Sequence, residues 1–136
     1  METMGWEDEV RSSTPLPTDA ELRILQVLWR CGPRTVREVH ERLTEENPVR
    51  YTTALKILQN MLAKGLVHRD DSGRSHVFEA AVDEEGTTGR LLAEVTDRVF
   101  AGSTTDLVLR ALSTKRASSE ELDQIRELLA RMEDES

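Results

Sequence analysis

Residues 50–67 read RYTTALKILQNMLAKGLV, and the periodicity of this stretch decides the fold class. Its apolar side chains recur every three to four positions, as in an amphipathic helix with one buried face. They are Ala54, Leu55, Ile57, Leu58, Met61 and Leu62. The opposite face is polar, with Arg50 and Tyr51 at its start followed by Thr52, Thr53, Lys56, Gln59 and Asn60. Gly65 ends the predicted helix, since glycine adopts the left-handed conformation of a helix C-terminus without steric cost.

The segments on both sides of this helix are also regular. Two capping boxes precede it, Thr18-Asp19-Ala20-Glu21 and Thr35-Val36-Arg37-Glu38, and each predicts the start of a helix because its Thr and Glu side chains satisfy backbone N–H groups. After Gly65 the apolar period changes to two over residues 66–69 and 74–80, with a Gly-containing turn at 70–73. Three helices followed by a β-hairpin is the order of a winged helix-turn-helix domain.

From about residue 85 the pattern is helical again. Three apolar stripes lie within residues 91–100, 107–112 and 122–132. Three helices of about 50 residues in all rarely enclose an adequate core, so we expect a second copy of the chain to cover the stripes. The expected dimer contacts are Leu91, Val95, Val99, Leu107, Leu122, Ile125, Leu128 and Leu129.

The predicted fold is therefore mainly α with a small β-hairpin. We expect a flexible N-terminal tail over residues 1–17, a winged-helix domain over 18–82 and a helical dimerisation domain over 83–136. The tail is proline-containing and has little apolar periodicity, although it includes Trp6.

Charge is unevenly distributed along the 136 residues, whose formal net charge is −8. Residues 18–82 hold ten Lys and Arg against nine Asp and Glu, whereas residues 83–136 hold seven against thirteen. A phosphate-binding surface is therefore possible in the middle of the chain. We expect a cytoplasmic protein, because the N-terminus lacks the apolar region of a secretory signal and no apolar run approaches the length of a membrane span. The single cysteine, Cys31, excludes an internal disulfide.

The polar face of the third helix suits the reading of DNA bases. Thr side chains can contact a base edge or a thymine methyl in the major groove, while Arg50 and Lys56 can bind guanine or phosphate. In the hairpin, Arg69, Arg74 and His76 are placed for backbone phosphates. The alternative interpretation of this helix face is a solvated surface without a ligand.

Four stretches of the sequence resemble the penicillinase-repressor family of BlaI/MecI-type transcriptional repressors. They are LPTDAEL (16–22), TVREV (35–39), YTTAL (51–55) and MLAKGLV (61–67). The start of the third helix and its exit are the most specific of these. The similarity is good over residues 16–82 and continues more weakly to the final helix.

This resemblance implies a dimeric repressor without a cofactor or enzymatic activity. Its winged-helix domain would place the third helix in the major groove of a palindromic, double-stranded operator, and its C-terminal helices would dimerise. The family's DNA-contacting positions correspond here to Arg50, Tyr51, Thr52, Thr53, Lys56 and Arg74. An upstream sensor or protease is a possible further partner.

Some features depart from the family pattern and leave the inducing signal open. Related repressors are cleaved at an Asn-Phe bond, where this chain reads LRAL (109–112), and copper-responsive relatives carry paired C-terminal cysteines, which this chain lacks. Asn60 stands where relatives often carry Arg. Derepression by proteolysis, by a small-molecule effector or by a partner protein therefore remains open.

Other chemistry has weaker support. The histidines, His40, His68 and His76, match no established zinc spacing, and a satisfied or exposed histidine explains each of them better. Cys31 has only Arg30 nearby to activate it as a redox switch. No phosphate loop or nucleophile elbow is present. The main alternative function is a protein-interaction module that uses the acidic C-terminal helices.

Overall fold

The structure, a computed structural model, describes residues 14–135, which form two compact units that divide between Leu91 and Leu92. The elements of the first unit are α1 (Asp19–Cys31), β1 (Arg34–Thr35), α2 (Val36–Thr44), α3 (Tyr51–Lys64), β2 (Val67–Asp70) and β3 (Val77–Ala80). Helix α4 (Glu84–Val99) includes the residues at the division, and α5 (Thr104–Thr114) and α6 (Ser119–Glu135) follow. The predicted fold class, a mainly helical winged helix-turn-helix followed by further helices, is confirmed.

Both predicted capping boxes form at the starts of α1 and α2. The Thr18 hydroxyl accepts from the Glu21 N–H at 3.2 Å, and a Glu21 carboxylate oxygen accepts from the Thr18 N–H at 2.9 Å. Thr35 and Glu38 repeat this arrangement at the same two distances. The hydrogen bond from the Thr35 N–H also lowers the pKa of Glu38. Each helix therefore begins where its local sequence predicts.

The sheet has three antiparallel strands in the order β1-β3-β2, and β1 is the strand that the sequence pattern does not predict. In β1, Thr35 pairs with Val77. β3 begins at Val77 rather than at Arg74, because residues 72–75 bend away from the ladder. The Asp70 carboxylate accepts from the Ser72 N–H at 2.9 Å at the start of this bend. Residues 71–76, together with β2 and β3, are called the wing below.

The core of the first unit lies behind α3. All three helices contribute to it, together with the sheet and the residue that precedes β2. Its buried apolar side chains are Ile24, Leu25, Leu28, Val36, Val39, Leu43, Ala54, Leu58, Met61, Leu66, Val67 and Phe78. Because α3 buries its Ala54, Leu58 and Met61 face here, its polar face points away from the core.

Residues 14–17 precede α1 and make defined contacts. Pro17 is buried, and the Thr14 carbonyl accepts a hydrogen bond from Arg90 Nη2 at 2.8 Å. Trp29 Nε1 also donates to the Val82 carbonyl at 2.9 Å, which ties α1 to the segment after β3. Trp6 and the rest of the expected tail lie outside the described residues. The expected tail and domain limits stay predictions.

Side chains also cap the helices that follow the sheet. The Ser103 hydroxyl caps α5 by accepting from the Asp106 N–H at 3.1 Å, and Ser118 does the same for α6 from the Glu121 N–H. Between α4 and α5 the chain turns through Ala101 and Gly102, which have φ angles of 49° and 83°. Within residues 14–135, no helix is both long enough and apolar enough to cross a membrane.

Candidate nucleic-acid interface

The polar face of α3 is exposed in the structure. Thr52, Thr53 and Lys56 are exposed, as are Gln59 and Asn60 one turn further along. Arg50 is the exposed N-cap residue, and Tyr51, which begins the helix, keeps 46% of its surface accessible. The hydrogen-bonding side chains of this face are therefore available to a ligand along about three turns of helix.

Helix α3 begins differently from the other helices of residues 14–135. Thr18, Thr35, Ser103 and Ser118 cap α1, α2, α5 and α6, and Asp83 Oδ2 accepts from the Gly86 N–H in the first turn of α4. Arg50 supplies no side-chain cap to α3, and the first turn of α3 contains no acidic residue. The first N–H groups of α3 and the positive end of its dipole thus face no side-chain acceptor, which suits an external phosphate.

The wing presents charges of both signs. Asp71 Oδ1 lies 2.8 Å from Arg69 Nε and 2.7 Å from His76 Nδ1, so these two basic side chains share one carboxylate. Asp70 instead accepts hydrogen bonds from Ser72, which lower the pKa of its carboxyl group. Arg74 is exposed at the bend, with no salt bridge to any residue of 14–135. Of the three basic residues predicted for the wing, Arg74 is therefore the one left without a competing carboxylate.

A partly buried ion pair joins α3 to α1. Glu21 is only 3% exposed, and its carboxylate receives Lys64 Nζ at 2.7 Å. Burial by itself raises the pKa of Glu21, but the hydrogen bonds from Lys64 and Thr18 outweigh burial, and the pKa lies below its ordinary value of 4.5. The C-terminal end of α3 is thus fixed by a charge-assisted contact, a role that the sequence pattern does not assign to Lys64.

Each of the three histidines has a different neighbour. His40 Nε2 lies 2.5 Å from the Val49 carbonyl oxygen, His68 is opposite Glu79 in the sheet, and His76 contacts Asp71. Among residues 14–135, no group of three or more His, Cys, Asp or Glu side chains is arranged to hold a metal ion. The interpretation of His40 as a satisfied histidine agrees with its hydrogen bond.

Helices α4, α5 and α6 expose an unusual amount of apolar surface. Of the predicted dimer contacts, Val99, Leu128 and Leu129 are exposed, Val99 by 62% of its surface. Five others are half-buried within the chain: Leu91, Val95, Leu107, Leu122 and Ile125. Four more side chains of the predicted stripes are exposed, namely Leu92, Val108, Leu112 and Met132, and so is Leu109, which the periodicity did not select. A scattered apolar residue on a surface is ordinary, but these three helices together leave eight large apolar side chains exposed.

The comparison with protein families decides the identity of the chain. The family model described as "Penicillinase repressor" matches residues 17–131, which include every element of the structure up to most of α6. The chain belongs to the penicillinase repressor family. Its members are winged-helix, DNA-binding transcriptional repressors, so the expectation of a non-enzymatic regulator is confirmed.

Individual members of the penicillinase repressor family match most of the chain. The transcriptional regulator BlaI of Mycobacterium tuberculosis is 29% identical over 117 residues, which are 85% of this chain and 83% of that protein. The penicillinase repressor of Bacillus licheniformis is 24% identical over 115 residues, 85% of this chain and 90% of that one. A solution structure shows the monomeric form of Bacillus licheniformis BlaI in complex with the blaP half-operator. Its sequence is 26% identical to this chain, and the TM-score is 0.48. The match covers 54% of this chain and 89% of that one.

Proposed function

We propose that this penicillinase repressor family member represses transcription as a homodimer that binds a palindromic operator, with α3 of each copy in the major groove. The proposal rests on the start of α3: the polar face of this helix is exposed, and no side chain caps its N-terminus. A recognition helix needs both features. Its N-terminal half must reach base edges with free hydrogen-bonding groups, and its first N–H groups bind backbone phosphate.

The contacts divide by chemistry. Thr52 and Thr53 read base edges or thymine methyl groups, and Lys56 hydrogen-bonds to guanine or phosphate. Arg50 and Tyr51 bind the backbone at the helix start, while Arg74 in the wing reaches phosphate across the neighbouring minor groove. None of these side chains forms a salt bridge with another residue of 14–135, so binding DNA requires no internal ion pair to break.

Dimerisation follows from the exposed apolar side chains of α4, α5 and α6. A second copy would cover them and would bring two α3 helices to half-sites about one helical turn apart. The excess of Asp and Glu after residue 82 repels the DNA backbone, which disfavours non-specific binding because that binding rests on phosphate charge. The dimer acts in the cytoplasm. A signal from a sensor, protease or effector releases the dimer from its operator.

The proposal is tested by fluorescence anisotropy with DNA from the promoter of the chain's own transcription unit, against scrambled DNA of equal length, at two salt concentrations. We expect one dimer per palindrome and an affinity that falls steeply with salt, because phosphate contacts release counterions. Equal binding to both DNAs, followed by a genome-wide site selection that found no preferred sequence, would overturn it in favour of the protein-interaction module.

Single substitutions on α3 locate the reading surface. Thr53→Ala and Lys56→Ala should each weaken operator binding by about 1–3 kcal/mol if the side chain contacts a base. Lys115→Ala is the matched control, since Lys115 is an exposed lysine in the loop after α5. Unchanged operator affinity in both α3 variants would exclude α3 as the reading helix.

A further inference from the structure

The loop between α2 and α3 contains few hydrogen bonds that fix where α3 begins. At its start, the N–H groups of Glu46 and Asn47 both reach the Leu43 carbonyl at 3.4 Å, a long distance for such a bond. Pro48 has no N–H to donate, and Arg50 provides no side-chain cap. The position of the first turn of α3 therefore depends on contacts from outside the loop, among them the packing of Val49 and Leu55 against the core.

His40 adds a directed polar contact from α2. Its ring is half-buried, and its Nε2 lies 2.5 Å from the carbonyl oxygen of Val49, the residue before the N-cap. A carbonyl only accepts hydrogen bonds, so Nε2 must carry the proton in this contact. The same ring forms a T-shaped contact with Tyr51, with ring centroids 5.7 Å apart and an interplanar angle of 78°. One side chain thus holds the residues on both sides of Arg50.

We infer that His40 is a positioning residue for sequence recognition, which acts through Val49 and Tyr51 without touching DNA. The inference rests on the proposed function. Thr52 and Thr53 follow Tyr51 directly, so a shift or rotation at the start of α3 moves both of them relative to the bases. Base readout needs close, directed hydrogen bonds, whereas non-specific binding rests on phosphate charge and tolerates such a shift.

The test measures the ratio of operator affinity to scrambled-DNA affinity for the full chain. Partial unfolding lowers the active concentration equally for both DNAs, so this ratio reports on recognition and not on folding. His40→Ala should lower the ratio about tenfold, as expected when one positioning hydrogen bond is lost. Ile24→Val, a mild change in the core of α1, is the control that lowers stability and leaves the ratio unchanged.

Two conservative variants separate the hydrogen bond from the ring contact. His40→Gln retains an N–H donor for the Val49 carbonyl and should restore most of the ratio. His40→Phe retains an aromatic ring beside Tyr51 but donates no hydrogen bond to Val49, and it should behave as His40→Ala. Nitrogen NMR of the histidines, with the His40 signal assigned by its loss in the variant, should show a proton on Nε2.

The outcomes distinguish this inference from the function on which it rests. A wild-type chain without operator preference would overturn both. An operator-specific wild type with an equally specific His40→Ala variant would overturn only the role of His40. A His40 ring with an unprotonated Nε2 would overturn the hydrogen bond on which that role depends.

Discussion

Glu21 is the one charged side chain of residues 14–135 that is buried, and its partners explain why the fold tolerates it. The carboxylate accepts from Lys64 on α3 and from the Thr18 N–H at the start of α1. A buried charge is costly unless it is paired and hydrogen-bonded, and here both conditions hold. Glu21 therefore serves at once as a helix cap and as the contact between two helices.

Glu21→Gln should destabilise the chain by about 1–2 kcal/mol at neutral pH, a value reduced because Lys64 is a third exposed. An amide oxygen is a weaker acceptor than a carboxylate and carries no charge for Lys64. Urea unfolding measures the change. Glu41→Gln, an exposed residue on α2, is the control. Equal stability of wild type and Glu21→Gln would mean that the pair contributes nothing net.

Acid should weaken the wild type through the same group. The folded-state pKa of Glu21 lies below 4.5, so its contribution is fully present above 4.5 and is lost as the pH falls through the folded value. Urea unfolding between pH 6 and about pH 3 should therefore show a steeper loss of stability in wild type than in Glu21→Gln. Parallel pH profiles of wild type and Glu21→Gln would mean that Glu21 does not contribute to the loss of stability in acid.

Among the elements, α3 combines the clearest sequence pattern with an N-terminus that its own sequence leaves uncapped. We infer that the missing cap leaves the first N–H groups of α3 available to a phosphate, at a cost in stability. The comparison of Arg50→Ser with Arg50→Ala tests this, because both variants lose the guanidinium and only serine can cap. The serine variant should be more stable by about 1 kcal/mol.

The same pair of variants should show the opposite order in operator binding. The introduced serine hydroxyl would occupy N–H groups that a phosphate would otherwise bind, so Arg50→Ser should bind more weakly than Arg50→Ala. Thermal unfolding and anisotropy provide the two measurements. If the capped variant bound operator as well as or better than the uncapped one, the open N-terminus would have no role in binding.

The wing yields a gain-of-binding prediction. Asp71→Asn removes the carboxylate that Arg69 and His76 share, and it frees Arg69 for a phosphate. Operator affinity should rise, and the slope of log affinity against log salt should steepen by about 1. Glu79→Gln is the control, because it makes the same change of charge on the exposed side of β3. Equal effects of both variants would indicate a general loss of negative charge.

Sequence patterns predict these elements to different degrees. The capping boxes are local, so the starts of α1 and α2 were predictable from four residues each. Strand β1 was not, because two residues show no alternation and their pairing partners, Val77 and Phe78, are distant in sequence. The polar face of α3 follows from its period, whereas the Asp71 ion pairs and the His40 contact depend on tertiary geometry.

At the scale of the whole molecule, the dimer expected from the stripes of α4, α5 and α6 connects folding to function. Side chains such as Leu109, 60% exposed, and Leu128, 48% exposed, leave apolar surface in water on a single copy. Burying it stabilises by about 25 cal/mol per Å², so association should be favourable as well as useful. A dimer also gains affinity because the second half-site binds at a high effective concentration.

Leu128→Asp should convert the dimer to monomers, because a carboxylate buried at an apolar interface has no partner there. Ala130→Asp adds the same charge on the far side of α6 and should leave the dimer intact. Sedimentation velocity gives the oligomeric state, and anisotropy with a whole operator and a single half-site gives the coupling. The Leu128→Asp monomer should bind the whole operator little better than one half-site, whereas Ala130→Asp should retain the wild-type preference.

A Leu128→Asp chain that stayed dimeric would place the interface on another face. A monomer that kept full operator affinity would show that dimerisation does not bring two α3 helices to the DNA together.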